Sequence, residues 1–288
     1  MNEYSKLIIN LALTGVVHAK ADTPHLPVTP EEIAEDTKLC YDVGASMVHL
    51  HARDAEGAPD YRKEIYAEII QRVRERCPEI IVCVSTSGRA FKRFEQRLEA
   101  LELAEHLKPE MGSLTLGSLN FPAQASVNDP EMIGSLLAKM TQRGIVPELE
   151  VFDFGMIDYA KHLLRRDLLQ PPLYFNLFLG SLGTVQATPH HLTGLVEELP
   201  EGATWGATGV GRSQFRINAM AVAMGGHVRV GLEDCAFMDL GKSRPATNLR
   251  LVERIAGVAR SMGRDIATPD EARAIIGLPT PQAVGGCA

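Results

Sequence analysis

This 288-residue sequence lacks any apolar run near the ~20 residues that a helical membrane span needs. It also lacks an excess of positive charge. Its 29 Lys and Arg stand against 36 Asp and Glu, a net charge of −7 that argues against a nucleic-acid platform but leaves room for a local basic pocket. Cysteines are few and unpaired in pattern: Cys40, Cys77, Cys83, Cys235 and Cys287 are scattered and odd in number. Reduced thiols in a cytoplasm are therefore expected rather than a disulfide framework. Residues 1–6 carry no basic region ahead of a long apolar stretch, so no signal peptide is expected. No low-complexity break interrupts the chain, which leads us to expect one domain over 1–288. What is present, 45% hydrophobic and 23% charged residues, suits a soluble globular protein with a sizeable core.

The pattern alternates between strand and helix. Strands are expected at 7–13, 47–52, 80–84, 111–115, 147–152, 173–179, 204–207 and 228–232. Helices are expected at 29–43, 62–75, 91–106, from 129, at 156–164, from 188, at 213–224 and at 248–262. Thr29-Pro30-Glu31-Glu32 has a Thr cap, a first-turn proline and a glutamate placed to close a capping box. Thr188-Pro189 repeats the device, and Thr268-Pro269-Asp270-Glu271 opens a short last helix before a glycine-rich tail. Eight such units in under 300 residues imply an α/β fold, a closed (β/α)8 TIM barrel with a short C-terminal helical extension. An open, doubly wound sheet is the runner-up. Barrel active sites lie at the C-terminal ends of the strands.

Val48-His49-Leu50-His51-Ala52-Arg53 sits at one such end. Residues two apart on a strand share a face, so His49 and His51 project together as a two-nitrogen claw for zinc or a similar divalent ion. Two core histidines bonded to backbone would be the bland reading of the pair alone. Catalytic zinc takes three protein ligands, and Glu233 at the end of the eighth strand supplies the third. Arg229 shares the face of Glu233 and can reach Asp234, so Arg229 and Asp234 form an oriented general base. Ser85, Thr86 and Ser87 fill a strand-to-loop turn whose hydroxyl and N–H donors suit a carboxylate or phosphate, although a plain serine-rich turn fits nearly as well. Glu150 ends the fifth strand and is the next candidate base. The glycine-rich 206–211 stretch has no Gly-Lys-Ser/Thr ending and is no Walker loop. It reads as a place of close approach for a ligand.

Taken together these segments resemble the β-keto acid cleavage enzyme family. The matching pieces are Leu13-Thr14-Gly15, Leu26 through Glu32, the His49/His51 segment, Val84 through Gly88, Pro147 through Asp153, Trp205 through Arg212 and, most strongly, Gly225 through Asp234. The likeness spans about residues 7–278. It implies a zinc-dependent barrel, homotetrameric, that transfers the acyl part of a β-keto acid to coenzyme A from acetyl-CoA and releases acetoacetate. Carried over by motif, His49, His51 and Glu233 would hold Zn2+, and Asp234 would deprotonate the carbon between carboxylate and ketone. Arg229 would orient Asp234, and Ser85 would grip the carboxylate. Aminohexanoate-cleaving members carry an acid shortly after the first Thr-Gly, where this chain has Val17. A neutral or anionic substrate tail is therefore expected, the more so if His18 or Lys20 points inward. A zinc hydrolase or a metal-dependent aldolase on the same barrel is the alternative, since fold alone does not fix chemistry. A non-catalytic metal or acyl-CoA binding protein is the third reading.

Overall fold

The computed structural model describes residues 4–279, so Cys287 and the glycine-rich tail lie outside the described residues. Eight parallel strands close a barrel in chain order: β1 Ile9–Ala12, β2 Met47–Leu50, β3 Ile81–Val84, β4 Met111–Thr115, β5 Val146–Val151, β6 Tyr174–Leu179, β7 Thr204–Gly209 and β8 His227–Val230. Closure is direct, with β1 paired to β2 through Ala12 and His49 and to β8 through Ile9 and Val228. The (β/α)8 expectation is met and the open sheet is excluded.

Alternation along each strand builds the interior. Ile9, Leu11, Val48, Leu50, Val82, Val84, Leu149 and Val151 face outward into a shell shared with the helices. Ile8, Met47, Ile81, Met111, Val146 and Tyr174 point inward at the N-terminal end. There Ala267, Ala272 and Ile276 plug the floor, carried in and just before the last helix, α9 (Pro269–Ile276). With the floor sealed by apolar contacts, the polar inward residues occupy the upper half of the barrel.

The helices follow their caps. α1 (Pro30–Asp42) starts from the Thr29–Glu32 capping box, α6 (Pro189–Glu197) from Thr188, and α9 from a second capping box at Thr268 and Glu271. Three departures from the expected boundaries shape the mouth. β2 stops at Leu50, because Ala52–Arg53 turns away to pair with Pro59–Asp60 in a small hairpin. β8 stops at Val230, because Gly231 has φ +155° with its missing Cβ position 2.0 Å from the Ala12 carbonyl oxygen. The 91–106 helix shrinks to α3 (Phe94–Leu98) followed by two single turns of 3-10 helix. Its Arg97 is buried and donates from Nε to Thr86 O at 2.7 Å and from Nη2 to Asn128 Oδ1 at 2.7 Å, so tertiary anchoring overrides helical propensity there. Among the described residues no helix is long and apolar enough to cross a membrane.

Candidate active site

The mouth opens at the C-terminal ends of the strands, as a cavity of about 430 Å³ lined by His51, Ser85, Glu150, Arg229, Glu233 and Asp234 among others. Beneath it, two residues before Glu150 on the same strand, Glu148 is fully buried inside β5. Oε1 of Glu148 accepts from Asn10 Nδ2 at 2.6 Å and Asn176 Nδ2 at 3.2 Å, and Oε2 lies 2.7 Å from His49 Nδ1 and 3.4 Å from Cys83 Sγ. Four strands thus converge on one carboxylate. Burial alone would raise its pKa, but the charge and hydrogen bond of His49, then Arg229, hold it down at about 2. Such a carboxylate fixes the imidazole so that Nδ1 faces Glu148 and Nε2 faces the mouth.

Above it, His51 Nε2 lies 3.2 Å from Glu233 Oε1. One ligand atom each from His49, His51 and Glu233 can be chosen so that all lie within 4.8 Å of one another. Glu233 Oε2 is buried without a partner. Glu150, Glu233 and Asp234 outnumber Arg229 and Arg89, the two arginines that line the cavity, so negative charge is in excess there. Two imidazoles, a carboxylate with a free buried oxygen, and unbalanced negative charge together fit a divalent cation such as zinc. Gly15 makes the arrangement possible: at φ +61° its missing Cβ position lies 2.5 Å from Glu233 Cγ.

Arg229, 1% exposed, is the hub. Nη2 meets Glu233 Oε1 at 2.6 Å, Nε meets Asp234 Oδ2 at 3.0 Å, Nη1 stands 3.8 Å from Glu150 Oε1, and the guanidinium lies 4.9 Å from the Phe178 ring centroid. Burial pushes the Asp234 carboxyl above the ordinary range against the pull of Arg229, which raises its basicity. Among the described residues its Oδ1 makes no hydrogen bond. Glu150 is likewise raised by burial, and it accepts from Thr115 Oγ1 at 2.6 Å.

A β-keto acid cleavage enzyme family model matches residues 6–278. The chain belongs to that family. A 3-keto-5-aminohexanoate cleavage enzyme of Fusobacterium nucleatum is 42% identical over 274 residues, 95% of this chain and 98% of that one. The 3-oxoadipate:acetyl-CoA acetyltransferase of Cupriavidus necator is 34% identical over 276 residues, 95% of each chain. Among solved structures, ObcA in a ternary complex with a C4-CoA adduct and oxalate superposes with a TM-score of 0.78 at 24% identity, covering 88% of this chain and 68% of that one, which shows the shared fold.

In this family member the structure gathers His49, His51, Ser85, Glu150, Arg229, Glu233 and Asp234 at one mouth. Thr86 lines a small cleft with His51 and Ser85, but its N–H donates to Ser113 Oγ at 3.1 Å and its hydroxyl to Ser113 O, so β4 consumes both donors. Ser85 accepts from Ser87 N–H at 3.2 Å, which leaves its own hydroxyl proton free to donate. Val17 is 55% exposed on the rim, beside His18, while Lys20 turns outward to Glu32. Within the glycine-rich stretch, close approach at Gly209 is to the chain's own Ser213 backbone, 2.5 Å from the missing Cβ position, although Val210 and Gly211 do edge the cavity. Glu148 was missed as a functional residue. Its signal was an acid at period two from Glu150 inside a strand, with Asn10 and Asn176 interrupting two other apolar strands.

Proposed function

We propose that this chain, acting as one barrel with α9 as its extension, takes a β-keto acid and acetyl-CoA and forms acyl-CoA and acetoacetate. The observation that carries the reading is the Asp234 carboxylate, tethered 3.0 Å from Arg229 Nε, at the same mouth as the His49, His51 and Glu233 donor set. The names of the acetyl-CoA-dependent relatives support the co-substrate, and the donor set supports zinc. Four buried free thiols, Cys40, Cys77, Cys83 and Cys235, fit a reducing compartment such as the cytoplasm. The family resemblance supports a homotetramer.

In this reading His49, His51 and Glu233 hold the ion, which supplies Lewis-acid polarisation of the keto oxygen when bound. Ser85 Oγ donates to the substrate carboxylate and sets the angle of the chain. Asp234, with Oδ2 tied to Arg229, takes the proton from the carbon between carboxylate and ketone on its unbonded Oδ1. Arg229 holds Asp234 and Glu233 in fixed relation, so the base and the ligand set move as one unit. The carbon so exposed attacks the acetyl thioester, the thiolate released adds to the former keto carbon, and the bond between that carbon and its neighbour breaks. Asp234 can then return its proton to the departing acetoacetate.

Purified protein incubated with a panel of β-keto acids should yield acetoacetate only when acetyl-CoA is present. Product formed without acetyl-CoA would instead mark a hydrolase or aldolase. Asp234→Asn should retain the metal and lower turnover by about 10²-fold or more, the usual scale for a general base. An unaltered rate would move that role to Glu150. Replacing His49 and His51 together by alanine should abolish bound metal, measured by emission spectroscopy, and full occupancy would sink the ligand assignment.

A further inference from the structure

Three buried arginines at the mouth, Arg229, Arg53 and Arg97, are engaged. Arg229 faces three carboxylates. Arg53 is spent on the carbonyls of Gly15 and Gly57, and Arg97 on Thr86 O, Val127 O and Asn128. Arg89 differs. It lines the same cavity, half-buried, with its guanidinium carbon 3.6 Å from the Phe121 ring centroid. Among the described residues that guanidinium meets neither a carboxylate at ion-pair distance nor any hydrogen-bond acceptor. A cation stacked on an aromatic face keeps its fork of N–H donors free at its edge, which suits a planar carboxylate.

Its backbone is pinned on both sides. The missing Cβ position of Gly88 lies 2.7 Å from Val127 O and 2.8 Å from Arg97 Nη1, so only glycine lets the turn pass there. Arg89 N–H donates to Ser87 Oγ at 3.2 Å, and Arg89 O accepts from Gln124 Nε2 at 2.9 Å. His18 lines the cavity near it, kept neutral chiefly by burial and then by the charge of Arg53. The carboxylates lining the cavity are Glu150, Glu233 and Asp234, and all three face Arg229. A cationic tail reaching the rim therefore meets Val17, His18 and Arg89, and no acid beyond the three that Arg229 faces. An anionic tail meets a preorganised, unpaired guanidinium.

We infer that Arg89, stacked on Phe121, anchors the far carboxylate of the substrate, and that the substrate class is the β-keto dicarboxylic acids. This rests on the reaction proposed above. Two relatives bear opposite tail charges in their names, so the rim of this chain must decide between them. A coenzyme A phosphate is the other anion that could meet Arg89. However, the pantetheine arm separates the thioester sulfur from the nearest phosphate by more than a short acyl chain, whereas Arg89 lies in the cavity that holds Glu233 and Asp234.

The test compares 3-oxoadipate with 3-oxohexanoate, equal in chain length and differing in tail charge, in wild type, Arg89→Met and Arg89→Lys. Wild type should favour the dicarboxylate in kcat/KM by at least about tenfold, with Arg89→Met reducing that ratio by about 30-fold and Arg89→Lys restoring part of it. An unchanged ratio in Arg89→Met overturns the assignment, as does a rise in KM for acetyl-CoA that is independent of the tail. A wild-type preference for 5-amino-3-oxohexanoate overturns it too. Calorimetric binding of 3-oxoadipate to the metal-loaded protein without acetyl-CoA separates the two readings. Binding weakened at least tenfold by Arg89→Met supports the anchor even if no acetoacetate forms, whereas undiminished binding rejects the anchor even if it does. Should Arg89→Met lower the Tm, Arg89→Gln serves in its place.

Discussion

At the scale of single residues, the site depends on one glycine as much as on its ligands. Gly15 occupies φ +61°, and a methyl group there would stand 2.5 Å from Glu233 Cγ, near the backbone end of that side chain where little can give. Gly15→Ala should therefore displace Glu233, cost about 1–3 kcal/mol of stability through backbone strain, and lower metal occupancy. Metal content and thermal unfolding check this together; full occupancy with an unchanged Tm would refute it. His49 and His51 were legible in the sequence because a period of two puts both imidazoles on one face. The necessity of Gly15 was not legible, since the atom it must avoid belongs to a residue more than 200 positions away. Glu148 was hidden for the same reason: its four partners come from four different strands.

At the scale of elements, α3 trades helix length for anchoring. Arg97 links the turn after β3 to the segment before α4 (Pro130–Arg143) through Thr86 O, Val127 O and Asn128. Burial lowers its pKa to about 10, so it is still charged near neutral pH. Arg97→Met should leave these acceptors unpaired and cost about 2–4 kcal/mol, read from the midpoint of denaturant unfolding. The slackened 85–89 turn should also raise KM for the β-keto acid more than it lowers kcat. Equal stability with an unchanged KM would show that the turn holds itself. The helix expected at 91–106 followed from its charge and apolar periodicity. The structure breaks it because Arg97, Ala100, Leu101 and Leu103 must all be buried, each where the turn after β3 and the next strands allow.

At the scale of the whole molecule, barrel closure brings His227 to the start of β8, where its Nδ1 accepts from Ile8 N–H at 3.0 Å. Burial, then the charge of Arg264, lowers its pKa to about 3 from an ordinary value of 6.5. The folded state thus binds fewer protons than the unfolded state between those values. Its contribution is complete above pH 6.5 and is lost as pH falls toward about 3, by up to about 1.4 kcal/mol per pH unit. His227→Asn keeps an acceptor for Ile8 but does not titrate, so its stability should fall less steeply than wild type from pH 6.5 to 4 in denaturant unfolding. Parallel curves for the two proteins would exclude His227 as the source of that slope. The difference between them removes the carboxylates, including Asp234 and Glu150, common to both.

The sequence by itself determined the eight strand–helix units, the caps that start the helices, the inward parity of His49, His51 and Arg229, and the absence of an acid at Val17. These are local properties, set by backbone periodicity and by hydrogen bonds within a turn. Only the tertiary structure decided that Glu148 orients His49, that Thr86 is spent on Ser113, that Lys20 turns outward, and that, of the two arginines lining the cavity, Arg229 is engaged and Arg89 is free. Each of those depends on which atoms closure of the barrel brings within about 3 Å, a hydrogen bond's reach, across long stretches of chain. Periodicity specifies the face a side chain takes, but not the partner it finds there.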